Sequence, residues 1–114
     1  MRQHFARKTV CEHGHKHNSG AEAKRCAVLH RMQAEGKIIG LKVEPRFHFA
    51  IEGREVKMGN GQVARYTGDF TYIEGNKQVV EDVKAKNGFV ERDVPLRLAF
   101  FRHLYPDIEL RIVK

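Results

Sequence analysis

Two β-rich runs separated by a short turn constrain this chain more than any other feature. Tyr66-Thr67-Gly68-Asp69-Phe70-Thr71-Tyr72-Ile73 and Gln78-Val79-Val80-Glu81-Asp82-Val83-Lys84 carry many β-branched and aromatic residues, and Glu74-Gly75-Asn76-Lys77 supplies turn chemistry between them. The pattern predicts a β-hairpin. With Gly75-Asn76 as a two-residue loop of the I′ or II′ kind, Ile73 faces Gln78 and Asp69 lies across from Asp82. Side chains alternate along a strand, so Asp69, Asp82 and Lys84 share one face while Phe70, Tyr72, Val79 and Val83 line the other. The greasier face builds core, and the acidic face is left for chemistry.

Two carboxylates opposed across a strand pair, with Cβ atoms about 5 Å apart, repel each other unless a positive charge sits between them. A hard cation such as Mg²⁺ relieves that repulsion. The alternative is a pair of solvated aspartates, with a longer turn and a pairing displaced by one or two residues. Glu81 has the wrong parity to join Asp82 and suits an edge position or an arginine partner. A bulge would put Glu81 in the place of Asp82.

At 114 residues the chain is expected to form one domain, residues 1–114, with 1–18 as an N-terminal arm or hairpin. Lys and Arg number 21 against 14 Asp and Glu, a net charge of +7 with a pI near 9.7, which suits a polyanionic partner, nucleic acid first. The cations are spread along the chain, so any contact surface must be assembled by folding. No apolar stretch approaches the roughly 20 residues needed to span a bilayer, and no signal-peptide core follows the N-terminus, so no membrane and a cytoplasmic location are expected. Cys11 and Cys26 are too few for a disulfide framework.

Ser19-Gly20-Ala21-Glu22 matches a capping box, and a helix from about Gly20 to Glu35, ended by Gly36, follows. Its expected apolar stripe is Ala21, Val28, Leu29 and Met32, with Glu22 at the edge and turned toward the sheet. Ile38 to Val43 and Phe47 to Ile51 alternate as half-buried strands do, and Gly53-Arg54 and Gly59-Asn60-Gly61 mark turns. Asp93 with Pro95 starts a second helix, whose expected buried face is Leu96, Ala99, Phe100, His103 and Leu104. Ile108, Leu110 and Ile112 alternate in a final strand. Helix, strands, hairpin, helix and strand imply an α/β fold with a mixed sheet flanked by helices.

That order of elements, with an acidic residue on the first helix, Asp69 in a middle strand and Asp82-Val83-Lys84 on the next, resembles the PD-(D/E)XK nuclease superfamily. Gly14-His15-Lys16-His17-Asn18-Ser19 leading into Glu22-Ala23-Lys24-Arg25, together with Glu44-Pro45-Arg46-Phe47, Asp69-Phe70-Thr71-Tyr72 and Glu81-Asp82-Val83-Lys84, is similar to a family of small phage and prophage proteins placed within it. The chain departs from the commoner pattern in two places: Gly68 stands where proline is usual, and Asp82 where glutamate is more frequent.

The resemblance implies a restriction-endonuclease-like core and a Mg²⁺-dependent DNA endonuclease, with Mn²⁺ as substitute, similar to endonuclease-I-type resolvases that act on Holliday junctions in phage recombination. It assigns metal binding to Asp69, Asp82 and Glu22, and orientation or activation of the attacking water to Lys84. Two sites in a homodimer would suit symmetrical cutting of a junction.

Other residues carry rival readings. Glu22 either closes the capping box or joins the metal. Arg25, near the middle of the first helix's apolar stripe, could snorkel or reach a scissile phosphate, and Lys86 could contact the nucleic-acid backbone. Arg92, Arg97 and Arg102 could do the same, but their spacing does not place them on one helical face. Cys11, His13, His15 and His17, followed by Cys26, offer zinc-type ligands at a spacing that matches no standard finger. A basic DNA-binding module without catalysis and a zinc-stabilised adaptor are therefore the alternatives to the nuclease.

Overall fold

The computed structural model describes residues 9–10, 16–17, 20–84 and 93–114. Strands β1 (Thr9–Val10) and β2 (Lys16–His17) pair antiparallel ahead of helix α1 (Gly20–Ala34). Then come β3 (Ile39–Val43), β4 (Arg46–His48), β5 (Ala50–Ile51), β6 (Arg54–Glu55), β7 (Arg65–Thr67), β8 (Phe70–Glu74) and β9 (Lys77–Val83). Helix α2 (Val94–Leu104) and β10 (Glu109–Val113) close the chain.

The central sheet has the order β10-β9-β8-β3, with β10 parallel to β9 and the other neighbours antiparallel. It is a mixed sheet, and with its two helices the chain is α/β. The β8–β9 hairpin has the predicted register, with Ile73 opposite Gln78 and Phe70 opposite Glu81. Gly75, at φ 66°, provides the positive angle that a two-residue hairpin turn requires. Two residues, Gly36 and Lys37, end α1 as a Schellman motif: the Gly36 amide donates to the Gln33 carbonyl and the Lys37 amide to that of Met32.

The face of the sheet predicted to stay open is covered. Cys26, Leu29, Ile38, Phe70, Tyr72 and Val79 form one core under α1, and Phe49, Tyr66, Val80 and Phe101 form a second on the other face. Val80 and Leu110, which oppose each other in the β9–β10 pair, need cover on that second face. The β4–β7 pair and α2 supply it, through Phe47, Tyr66 and Phe101. Full burial of a side chain as large as Phe101 contributes about 1.5–3 kcal/mol.

Helix α2 is rotated from its predicted face, and α1 slightly so, since Leu29, Met32 and Glu22 turn inward as expected. In α1 the buried residues are Glu22, Cys26 and Leu29, while Ala21 is exposed. This rotation brings Gln33 round to the sheet, where its Oε1 accepts the Leu41 amide at 2.9 Å, inside the register shift between Ile39 and Lys42. In α2 Phe101 is buried with Leu98, Leu104 and Tyr105 packed around the same core, and Leu96, Ala99, Phe100 and His103 are exposed. Two apolar stripes at helical spacing compete in α2, and the one carrying Phe101 wins because that ring meets Phe47 and Tyr66, each at a centroid distance of 5.0 Å.

The predicted strand from Phe47 to Ile51 is broken. Its first part pairs with β7, and its second folds into the small β5–β6 hairpin. Among the described residues no helix is long and apolar enough to cross a membrane.

Candidate functional site

Asp69 sits where β8 begins, just past the last residue pair of the β8–β9 ladder. The pairing slips there. Its amide donates to the carbonyl of Glu81 at 2.9 Å, one residue short of the predicted partner Asp82. Its Oδ2 accepts the Val83 amide at 2.6 Å, so the carboxylate takes the place of a backbone carbonyl at the ladder's end. Gly68 makes this approach sterically feasible. A Cβ built on it would lie 2.7 Å from Val80 Cγ1, closer than real side chains come.

Asp82 points to the Tyr66 side of the sheet. Its Oδ2 accepts the Tyr66 hydroxyl at 3.0 Å and lies 3.3 Å from Lys84 Nζ. Lys84 is fixed beyond the end of β9 by its own amide, which donates to the Val113 carbonyl at 2.7 Å. Tyr66 is buried, and its hydroxyl proton is held far above the usual range by that burial, by the Asp82 carboxylate and by the charge of Asp69.

Three acids act on one another here. Burial, the charge of Glu22 and the neighbouring Asp82 carboxyl push Asp69 up to about 8, against the opposing pull of the Val83 amide. A side-chain hydrogen bond between Asp69 and Asp82 contributes in the same direction. Glu22 reaches the group from α1, where it is 7 % exposed. The arrangement is therefore an Asp69 carboxyl that burial and two neighbouring acids push toward its protonated form.

Among the described residues no three His, Cys, Asp or Glu side chains stand as a ready-made metal cage. The donor chemistry nevertheless fits a hard divalent cation. Asp69 and Asp82 offer oxygen ligands, and a cation between them would relieve the repulsion that helps to push Asp69 up.

Glu81, one residue before Asp82, points the other way, as its parity predicts. It is fully buried and receives both arms of the Arg25 guanidinium, Nε to Oε1 and Nη2 to Oε2, each at 2.7 Å. Tyr72 also donates its hydroxyl to Glu81. Arg25, considered above as a phosphate contact, is thus committed to an ion pair that ties α1 to β9.

Lys86 lies outside the described residues, as do Ser19 of the capping box and Cys11, His13 and His15 of the Cys/His segment. Cys26 is buried in the α1 core. Sequence reasoning missed Tyr66. The available signal was an aromatic residue with a polar tip, three positions before Asp69 in the same run.

No curated protein and no solved structure matches the chain. One family model covers it from residue 1 to residue 114, and the chain belongs to that family, described as Protein of unknown function (DUF1064).

Proposed function

We propose that this protein is a metal-dependent DNA endonuclease with a restriction-endonuclease-like core of the PD-(D/E)XK kind, hydrolysing phosphodiester bonds. The reading extends to branched DNA as substrate, to phage recombination in the cytoplasm of a bacterial host as its setting, and to a homodimer as the acting form. One observation carries it. Asp69, just before β8, and Asp82, in β9, meet in a partly buried position within the field of Glu22 and with Lys84 Nζ 3.3 Å from Asp82.

Asp69 and Asp82 would hold a Mg²⁺ or Mn²⁺ ion through their carboxylate oxygens, with Glu22 adding negative charge behind them. A bound ion supplies a water of lowered pKa and neutralises charge that builds on the phosphate. Tyr66 and Lys84 both engage Oδ2 of Asp82, which orients that carboxylate. The Lys84 ammonium adds a fixed positive charge where the phosphate oxygens gather charge in the transition state.

The test is cleavage of labelled four-way-junction and linear duplex DNA with Mg²⁺, Mn²⁺ or EDTA, beside Asp82→Asn and Lys84→Ala proteins. Metal-dependent cutting lost in both variants supports the reading, and the preferred DNA identifies the substrate.

A second reading is a non-catalytic basic DNA-binding module with the same fold. It is favoured by the lack of three converging ligand side chains among the described residues. Binding that weakens steeply with salt, and no cutting with either metal, would establish it.

A further inference from the structure

Beside the carboxyl pair lies an open cleft of about 370 Å³ whose walls include Tyr66, Thr67, Asp82, Lys84, Asp93 and Arg97. Arg97, one of several scattered arginines in the sequence, is drawn into this cleft by the first turn of α2. Its Nε donates to Asp93 Oδ2 at 2.8 Å and its Nη1 to the Arg65 carbonyl at 2.7 Å. Two bonds from different atoms fix the plane of the guanidinium, and no described residue accepts from Nη2. Lys84 spends one of its three N–H donors on Asp82 and has no other side-chain partner among the described residues.

The cleft therefore presents two cations with unspent donors next to Asp82. Among the described residues the one aromatic ring on its wall, Tyr66, is buried against Phe101 and offers no face for stacking a base. Its chemistry suits a phosphate rather than a nucleobase. Asp93 offsets part of the Arg97 charge, so an aimed donor edge is the larger part of what Arg97 brings. Lysine does not reproduce such an edge.

We propose that Arg97 is a phosphate-binding residue: its free Nη2 edge, with the Lys84 ammonium, takes the non-bridging oxygens of a DNA backbone phosphate beside the Asp69–Asp82 pair. This rests on the DNA part of the proposed function and not on cleavage.

The experiment is fluorescence anisotropy of a labelled junction and a labelled duplex in EDTA across a salt series. Wild-type protein is compared with Arg97→Gln, Arg97→Lys and, as a remote surface control, Lys37→Gln. Arg97→Gln is expected to bind about tenfold more weakly, the scale of one charge-assisted hydrogen bond, with a salt dependence shallower by about one phosphate. Arg97→Lys is expected to lose affinity with little change in salt slope, and Lys37→Gln to bind as wild type.

Thermal melts establish that each variant is folded. If Arg97→Gln melts early, Arg97→Lys decides the matter, since it retains a charge for Asp93. Wild-type affinity in a folded Arg97 variant overturns the proposal, and so does a loss no larger than that of Lys37→Gln. Failure of the wild-type protein to bind either DNA overturns it together with the DNA reading. Weakened binding in Arg97→Gln, alongside a wild-type protein that binds but never cuts, supports this inference while removing the nuclease.

Discussion

Arg25 grips Glu81 with both arms of its guanidinium, across the interface between α1 and the central sheet. The pair is one residue from Asp82 in β9 and three from Glu22 in α1, so the contact that docks the helix also sets the distance between the helix acid and the strand acids. The network continues outward. Tyr72 donates to Glu81, and Arg111 Nη1 lies 3.4 Å from the Tyr72 hydroxyl oxygen while pairing with Glu74 and Glu109. Burial and the Glu81 contact push the Tyr72 hydroxyl up to about 12, so it stays a donor throughout the physiological range.

Breaking this pair from its two sides is expected to cost different amounts. Arg25→Ala leaves a fully buried carboxylate with, among the described residues, Tyr72 alone to serve it, a loss of about 3–5 kcal/mol. Glu81→Gln leaves an arginine whose side chain is 26 % exposed and can turn to water, and it costs less. Urea denaturation midpoints of the two variants and of the double variant measure this. Equal single losses that simply add in the double variant would show that the two groups do not act as a pair.

Gly68→Ala is expected to destabilise the protein by about 1–3 kcal/mol, the usual scale for overpacking. Its new methyl would stand 2.7 Å from Val80 Cγ1, on a stiff β-branched side chain with no exposed surface to yield toward. Val80→Ala in the same chain should recover part of the loss by clearing that contact. If the double variant is no better than the sum of its parts, the clash is not the cause.

The hairpin was legible because its information is local. Turn residues fix the loop, and the loop fixes the register as far as Phe70 and Glu81. The slip at Asp69 was not legible, because it depends on Gly68 passing against Val80, a contact set by the second core. Helix faces were misread where two stripes were equally apolar, as in α2, or where a polar residue had a distant partner, as Gln33 has in Leu41. Glu81 was read correctly from parity alone. Its partner Arg25 was not, since an arginine on an apolar stripe could as well have served a ligand.

Tyr66→Phe removes one hydroxyl and retains the ring against Phe101, so the fold should lose only about 1 kcal/mol. Asp82 loses one of the two groups that orient Oδ2. Under the nuclease reading, metal affinity or activity should fall about 10–100-fold, as it does when a ligand's hydrogen-bond partner is removed. Cleavage rates over a Mg²⁺ titration give the answer. An unchanged titration would leave Tyr66 with a packing role alone.

The carboxyl pair makes stability itself pH-dependent. In the folded protein Asp69 is pushed up to about 8 from an ordinary value of 3.8, chiefly by burial and then by the charge of Glu22. Between those limits the folded chain retains a proton that the unfolded chain has released, so stability falls as pH rises through the window and levels off above about 8. Urea melts in EDTA at intervals from pH 5 to pH 9 should show that decline in the wild-type protein. In Asp69→Asn, which carries no proton to lose, the decline should be much reduced. A divalent cation held by Asp69 and Asp82 would favour the ionised form, so at pH 7 Mg²⁺ should flatten the decline and release a proton on binding, measurable by calorimetry in buffers of different ionisation enthalpy. Wild-type stability that is flat or rising across the window, and unaltered in Asp69→Asn, would mean that Asp69 is ionised in the folded protein.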